Sequence, residues 1–145
     1  MTTDTTEGRM QIVEGIPTPQ EYAAMRADAG WEPVDPDVVA RGLGGSLASF
    51  VVRDDDGTLM GMGRLVGDGA AYLYLQDVIV RSDLRGMGLG TELTRRLLAR
   101  AQELGGRGTF VGLMAAQGAG PFYRRFGFEE RPGDRPGMWR VLDGA

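Results

Sequence analysis

The sequence predicts an α/β (α+β) fold, with a mixed, mostly antiparallel central sheet flanked by about four helices. Strand-like runs rich in aromatic and β-branched residues are separated by turn signals such as residues 54–57. A glycine-rich turn joins one such run, Tyr72–Val80, to a segment with helical spacing of apolar residues: Leu93, Leu97, Ala101 and Leu104. A chain of 145 residues has the size of one domain. We therefore predict a single domain over residues 1–145, with residues 1–8 flexible.

The N-terminal half predicts one strand, two helices and a hairpin. Thr18 is a candidate N-cap, with Glu21 placed as in a capping box, for a helix that runs to Ala29. Asp35 is the candidate cap of a second helix, with Pro36 at its first position. The predicted strands are residues 10–14, 46–53 and 58–66, and the last two are joined by the Asp-Asp-Asp-Gly turn.

The C-terminal half begins with the strand Tyr72–Val80 and the long helix, which ends at Gly105 and Gly106. Residues 109–114 predict a buried strand, and residues 118–125 a short helix closed by Gly127. Residues 128–130 and 138–142 predict the last two strands. The predicted order is therefore β-α-α-β-β-β-α-β-α-β-β.

The composition excludes several kinds of chemistry. The chain has no histidine and no cysteine, which excludes Ser-His-Asp catalysis, thiol nucleophiles and zinc sites built from those ligands. Its 16 basic residues are all arginine, and the net charge of −4 argues against a nucleic-acid partner. We expect no metal, no membrane partner and a cytoplasmic location, since no long apolar run or signal-like N-terminus is present.

The glycine turn at residues 85–91 is the main candidate binding site. Glycines that precede a helix N-terminus let backbone N–H groups approach a phosphate or pyrophosphate. A Walker loop needs a lysine, which the chain lacks. The spacing of Gly86, Gly88 and Gly90 also differs from the dinucleotide fingerprint G-x-G-x-x-G.

Two motifs resemble the GNAT superfamily of acyl-CoA-dependent N-acetyltransferases. Arg85, Gly88 and Gly90 fill the pattern Q/R-x-x-G-x-G/A, and residues 122–128 are similar to the segment F-Y-x-x-x-G-F. The resemblance implies acetyl-CoA as co-substrate, with its pyrophosphate on the turn and its pantetheine along the preceding strand. The implied cofactor-binding residues are Val78, Ile79, Val80, Arg85, Gly86, Met87, Gly88, Leu89, Gly90 and Thr91.

The same resemblance implies roles in catalysis. Tyr123 is the candidate acid for the leaving thiolate, and its alternative is a half-buried core residue. Asp77 is either a base, acting through water, or a structural hydrogen-bond acceptor, and these two interpretations stay equal. Gln76 stands where polyamine acetyltransferases of the superfamily have a glutamate. Because successive strand residues face opposite ways, we expect that Gln76 and Asp77 cannot both point at the thioester.

The acceptor is predicted as the primary amine of a small molecule. Residues 75–80, 113–115, 122–123 and 136–139 resemble the branch that holds plant and cyanobacterial serotonin N-acetyltransferases, which implies an arylalkylamine. The predicted substrate-binding residues are Tyr22, Trp31, Tyr74, Gln76 and Trp139. Two alternatives are a protein lysine or N-terminal acetyltransferase and an acyl-CoA-binding sensor without catalysis. A homodimer is a further open expectation.

Overall fold

A computed structural model describes residues 10–144, so the predicted flexible segment 1–8 lies outside the described residues. The chain divides into two compact units, one ending at Leu113 and one beginning at Met114. The first unit holds a five-stranded sheet in the order β1-β2-β3-β4-β5. β1 to β4 are antiparallel to their neighbours and β5 is parallel to β4. The predicted fold class is confirmed.

The elements of the first unit agree closely with the sequence pattern. The strands are β1 (Gln11–Glu14), β2 (Ala48–Arg53), β3 (Leu59–Gly67), β4 (Tyr72–Val80) and β5 (Phe110–Gly112). The helices are α1 (Pro19–Asp28), α2 (Pro36–Gly44) and α3 (Leu89–Leu104).

Both predicted helix caps of the N-terminal half are confirmed. The Thr18 side chain accepts from the Glu21 N–H at 3.1 Å, and the Glu21 carboxylate accepts from the Thr18 N–H at 2.9 Å. Asp35 accepts from the N–H of Asp37 at 2.9 Å. These bonds satisfy backbone donors that have no partner inside the helix, and they fix where each helix begins.

The core of the first unit lies against the sheet. α1 and α2 bury Tyr22, Met25, Val39 and Leu43 in a cluster with Met62 and Ile79 of the sheet. α3 buries its own apolar stripe, which includes Leu93 and Leu97 at 0% exposure. Burial of this kind is the main favourable term in folding, and it holds β4 in place.

The second unit contains one helix, α4 (Gly120–Arg124), and an aromatic cluster beside it. The Phe122 and Tyr123 rings meet edge to face at 4.9 Å, and the Tyr123 and Phe128 rings meet at 6.0 Å. The two strands predicted at residues 128–130 and 138–142 are absent from the described residues. A strand needs a neighbouring strand to pair with its N–H and C=O groups, and the sequence pattern alone does not identify that neighbour.

The prediction of a buried fifth strand is also wrong in part. Only residues 110–112 form β5, and the Phe110 side chain is 45% exposed beside the exposed ring of Tyr72. The two rings lie 5.9 Å apart. None of the helices among residues 10–144 is long and apolar enough to cross a membrane.

Candidate functional site

The glycine turn joins β4 to α3 in an exposed loop. Gly86 and Gly88 adopt φ angles of +87° and +83°, a region that residues with a side chain rarely enter. A Cβ added at either position would meet no atom within 4 Å. These glycines are therefore not needed for close packing inside the protein, and their backbone faces open space that a ligand can enter.

The turn ends on the N-terminus of a helix of 16 residues. Gly88 is the N-cap of α3 and has no side chain to cap the first turn. The N–H groups of Leu89 and Gly90 have no acceptor one turn earlier in the helix. Together with the positive end of the helix dipole, these donors form a site suited to an anion such as a pyrophosphate.

β4 presents an open backbone edge next to this turn. β5 pairs with β4 only at Tyr72, Leu73 and Tyr74, so among the described residues β4 has no strand neighbour on that side from Leu75 to Val80. The Arg81 N–H donates to the Met60 carbonyl of β3 at 2.9 Å, so the backbone groups of Arg81 face β3. Since backbone groups alternate along a strand, those of Val80 and Val78 face the open side, where the Val80 carbonyl accepts from Arg85 Nε at 3.3 Å. An extended chain of amides can hydrogen-bond there.

Asp77 lies in the interior, and its carboxylate is surrounded by donor side chains. It is 3% exposed, and its Oδ2 accepts from the Tyr22 hydroxyl at 2.8 Å and from Arg64 Nε at 2.8 Å. Arg26 lies 3.8 Å from Oδ1. Burial and the Asp77 charge raise the pKa of Tyr22, so this phenol stays a hydrogen-bond donor. The carboxylate thus joins α1 to β3 and β4.

A bulge explains why strand alternation fails at this point. Asp77 has φ +59°, the only positive value for a non-glycine residue among the described residues. Met62 pairs with Ile79 and Arg64 pairs with Gln76, so β4 uses three steps where β3 uses two. The Gln76 amide therefore donates to Asp77 Oδ1 at 3.1 Å. Strict alternation of side chains along β4 therefore does not hold at Gln76 and Asp77.

Tyr22 and Trp31, two predicted substrate-binding residues, meet around a cation of the chain itself. The Arg26 guanidinium carbon lies 5.7 Å from the Tyr22 ring centre and 5.4 Å from that of Trp31. Arg26 also donates to the Glu32 carbonyl at 2.6 and 2.9 Å. Tyr22 is buried and Trp31 is partly buried. Arg26 thus already fills the space where this aromatic pair could hold a cation.

The remaining predicted side chains differ in their surroundings. Tyr74 is half-buried on β4, and burial raises its pKa. Tyr123 is partly buried in the aromatic cluster of the second unit, and burial raises its pKa as well. Trp139 is 75% exposed.

A cleft of about 500 Å³ adjoins the first residue after β4. It is lined by α1, the turn between β2 and β3, and Arg81. Two of its acidic groups already have partners, because Glu21 is paired with Arg53 at 2.7 Å and Asp28 accepts from the Ser82 N–H at 2.8 Å. The bonds from Ser82 to Asp28 connect the end of α1 to the loop that leads from β4 into the glycine turn.

Sequence reasoning missed Arg64 and Arg26. Arg64 reaches Asp77 and also donates to the Gly42 carbonyl at the end of α2, at 3.1 Å. One signal was available, since Arg64 is the only charged residue in the otherwise apolar run Leu59–Gly67. A charge in a buried strand needs a buried partner. Among the described residues no cluster of acidic side chains is arranged to hold a metal.

Comparison with known proteins agrees with this geometry. Residues 18–128 match the model of the acetyltransferase (GNAT) family. A Porphyra purpurea protein, the uncharacterized N-acetyltransferase ycf52, is 27% identical over 94 residues, which are 64% of this chain and 53% of that protein. The chain therefore spans about half the length of this curated relative.

Solved structures extend the similarity over nearly the whole chain. A probable acetyltransferase from methicillin-resistant Staphylococcus aureus has 27% identity and a TM-score of 0.86, covering 92% of this chain and 99% of that one. A GNAT family protein from Streptococcus pneumoniae has 26% identity and a TM-score of 0.77, covering 92% and 98%. Arabidopsis thaliana glucosamine-6-phosphate N-acetyltransferase, at 15% identity and a TM-score of 0.68, covers 92% and 99% and shares the fold.

The glycine turn on a helix N-terminus and the open strand edge beside it together suit an extended ligand that ends in an anionic group. The chain belongs to the GNAT acetyltransferase family.

Proposed function

We propose that this protein transfers the acetyl group of acetyl-CoA to the primary amine of a small molecule. The observation that carries the proposal is the open edge of β4, which leads directly into the glycine turn at the N-terminus of α3. A strand-like ligand with an anionic end fits these two features together. Pantetheine carries two amides and is followed by a pyrophosphate, so it has this form. The family typically uses acetyl-CoA.

The cofactor-binding residues have separate tasks in this proposal. The backbone groups of Val78 and Val80 pair with the pantetheine amides, and Ile79 anchors the strand in the core, where it is 3% exposed. The backbone of residues 86–91 receives the pyrophosphate, while the exposed Arg85 supplies a positive charge at its rim. A strand N–H near Val78 polarises the thioester carbonyl.

Tyr123 is the proposed acid for the leaving thiolate. Burial raises the pKa of its phenol, so the hydroxyl stays protonated at neutral pH and has a proton to give. The bond between sulfur and the acetyl carbon breaks as the carbon–nitrogen bond forms. The amine loses a proton to water, the thiolate receives one from the phenol, and the resulting phenolate regains a proton from water.

The geometry of Asp77 favours the structural interpretation over that of a direct base. Oδ2 already accepts hydrogen bonds from Tyr22 and Arg64, and Oδ1 accepts one from Gln76. Both oxygens of the carboxylate are thus engaged inside the protein, and the side chain is 3% exposed, so an amine has no direct access to it. We propose that Asp77 fixes the bulge of β4 and that water takes the proton of the amine.

An arylalkylamine is the proposed acceptor, on the resemblance to the serotonin N-acetyltransferase branch. Tyr74 and Gln76 lie on β4, where their side chains can contact the ring and the amine of the substrate. Trp139 offers a further exposed aromatic surface. Tyr22 and Trp31 act indirectly in this proposal, through their contacts with Arg26.

An amine panel tests the proposal. The protein is mixed with acetyl-CoA and arylalkylamines, polyamines, amino sugars or lysine-containing peptides, and thiol release is followed. We expect turnover with a small amine, with the arylalkylamines highest. Turnover on peptides alone would favour the protein acetyltransferase, whereas acetyl-CoA binding by calorimetry without turnover on any amine would favour the sensor.

A further inference from the structure

The loop that leads from β4 into the glycine turn has no buried residue to hold it. From Ser82 to Gly88 every residue is exposed or only partly buried. Gly86 and Gly88 add backbone freedom within the same stretch. A segment with few buried contacts opens locally at little cost in free energy. The conformation of the anion site therefore depends on the polar contacts that anchor this loop.

Asp28, the last residue of α1, is an anchor from outside the loop. Its Oδ2 accepts from the Ser82 N–H at 2.8 Å, and its Oδ1 accepts from the Ser82 hydroxyl at 3.0 Å. Ser82 begins the short 3-10 turn Ser82–Leu84, so its N–H has no acceptor inside that turn. Hydrogen bonds to an ionised acceptor are roughly twice as strong as neutral ones. Both oxygens of one carboxylate thus hold the start of the loop.

The same helix is attached at a second point, at the bulge of β4. The Tyr22 hydroxyl donates to Asp77 Oδ2 at 2.8 Å in the interior. Tyr22 and Asp28 lie about 9 Å apart along α1, at 1.5 Å of rise per residue. Their partners, Asp77 and Ser82, lie at the two ends of the open edge of β4. One helix therefore sets the spacing between the two ends of the groove proposed for pantetheine.

We propose that Asp28 is a positioning residue for the cofactor, which keeps the glycine turn in the conformation that receives the pyrophosphate of acetyl-CoA. The inference rests on the proposed function, because it takes acetyl-CoA as the ligand of the turn. Asp28 acts through Ser82 and not through contact with the ligand. Its negative charge by itself opposes a nearby pyrophosphate. Electrostatics and positioning therefore predict opposite effects when this carboxylate is removed.

Calorimetric titration of the intact protein with acetyl-CoA tests the proposal through Asp28→Ala. Apparent affinity falls with the fraction of molecules whose site is ready to bind, so a turn that is in place in about a tenth of the molecules raises Kd about tenfold. We expect a rise of this size. Thermal unfolding of the free variant should stay close to that of the wild type, since Asp28 and Ser82 are both exposed. A Kd that stays the same or falls would overturn the positioning role.

Asp56→Ala is the matched control. Asp56 lies in the turn between β2 and β3 and lines the same cleft as Asp28. The substitution removes an equal charge from another wall of this cleft and leaves the contact with Ser82 intact. We expect the Kd for acetyl-CoA to stay at the wild-type value or to fall slightly. A tenfold rise in this variant as well would assign the effect to the charge of the cleft and would overturn the proposal.

Ser82→Ala tests whether Asp28 acts through Ser82. This variant keeps the backbone N–H bond and loses only the hydroxyl bond, so Kd should rise less, about threefold. The double variant Asp28→Ala, Ser82→Ala should bind like Asp28→Ala alone, because two residues that act through one contact are not additive. Independent effects would multiply to about thirtyfold, and that result would exclude the contact as the cause.

The wild-type titration separates this inference from the function on which it rests. A wild-type protein that does not bind acetyl-CoA would refute the proposed function, and the role of Asp28 with it. A wild-type protein that binds acetyl-CoA, together with an Asp28→Ala variant of equal affinity, would refute the role of Asp28 alone.

Discussion

A single carboxylate placed at Gly88 tests the anion site, because it should affect the free protein and the complex in opposite directions. Gly88 has φ +83°, and a side chain there would enter open space. Asp and Asn tolerate this conformation better than other residues with a side chain. Gly88→Asp and Gly88→Asn should therefore both lower the stability of the folded protein through backbone strain by a similar amount, about 1 kcal/mol. The two variants differ in charge and hardly in size.

The charge should stabilise the free protein slightly. Gly88 is the N-cap of α3, where a negative group gains roughly 0.3–1 kcal/mol from the helix dipole. With acetyl-CoA the same charge repels the pyrophosphate. Two charges about 4 Å apart interact by about 1 kcal/mol in water and about 4 kcal/mol near a protein surface. Taking about 2 kcal/mol, we expect Gly88→Asp to bind on the order of 30-fold more weakly than Gly88→Asn.

Calorimetric titration of both variants with acetyl-CoA measures this difference, and thermal unfolding measures the free proteins. The gap in affinity should narrow at high salt, because screening weakens the repulsion of exposed charges. Equal affinities of the two folded variants, at low salt, would refute the placement of the pyrophosphate on this turn.

Three further predictions concern Tyr123, Asp77 and Glu21. Tyr123→Phe should lower kcat on the order of a hundredfold with little change in the acetyl-CoA Kd. The wild-type rate should fall as the phenol ionises above pH 10, and the variant should lack this fall. A wild-type rate in the variant, when chemistry limits, would assign Tyr123 to packing. Asp77→Asn keeps the left-handed backbone but leaves Arg64 without its carboxylate partner. Denaturant unfolding should therefore show a free energy of unfolding that is lower by about 2–4 kcal/mol. Adding Arg64→Met to this variant should restore part of the loss. An Asp77→Asn protein of normal stability but with kcat reduced a hundredfold would instead make Asp77 the base. Hydrogen bonds from Arg53 hold the pKa of Glu21 at about 2, below its usual 4.5, so this pair contributes stability above pH 4.5 that is lost as the pH falls towards 2. Glu21→Gln keeps the capping box and should remove that acid dependence, on the order of 1 kcal/mol for a partly exposed pair; identical acid unfolding curves would contradict this.

The sequence allowed prediction of those features that depend on neighbours along the chain. Thr18 and Glu21 form the predicted capping box because cap and first turn are three residues apart. The Gly88 turn follows β4 as predicted, because left-handed glycines before a helical stripe are a local signal. β4 itself has its predicted limits, Tyr72–Val80.

Features that depend on residues far apart in the sequence could not be predicted from it. The bulge at Asp77 needs Tyr22 from α1 and Arg64 from β3, which lie 55 and 13 positions away along the chain. No periodicity of β4 encodes these partners, and the alternation rule therefore failed there. The apolar pattern of residues 138–142 likewise indicates extended structure without saying which edge it joins.

The guanidinium of Arg26, held between the rings of Tyr22 and Trp31, has a chemical consequence. A lysine ammonium could occupy the same place, but its amine becomes a nucleophile when it loses a proton, whereas arginine keeps its charge at any physiological pH. The chain contains arginine at all 16 basic positions. In the proposed complex with acetyl-CoA, the thioester therefore meets no side-chain amine of this chain, so the side chains of the chain cannot compete with the acceptor for the acetyl group.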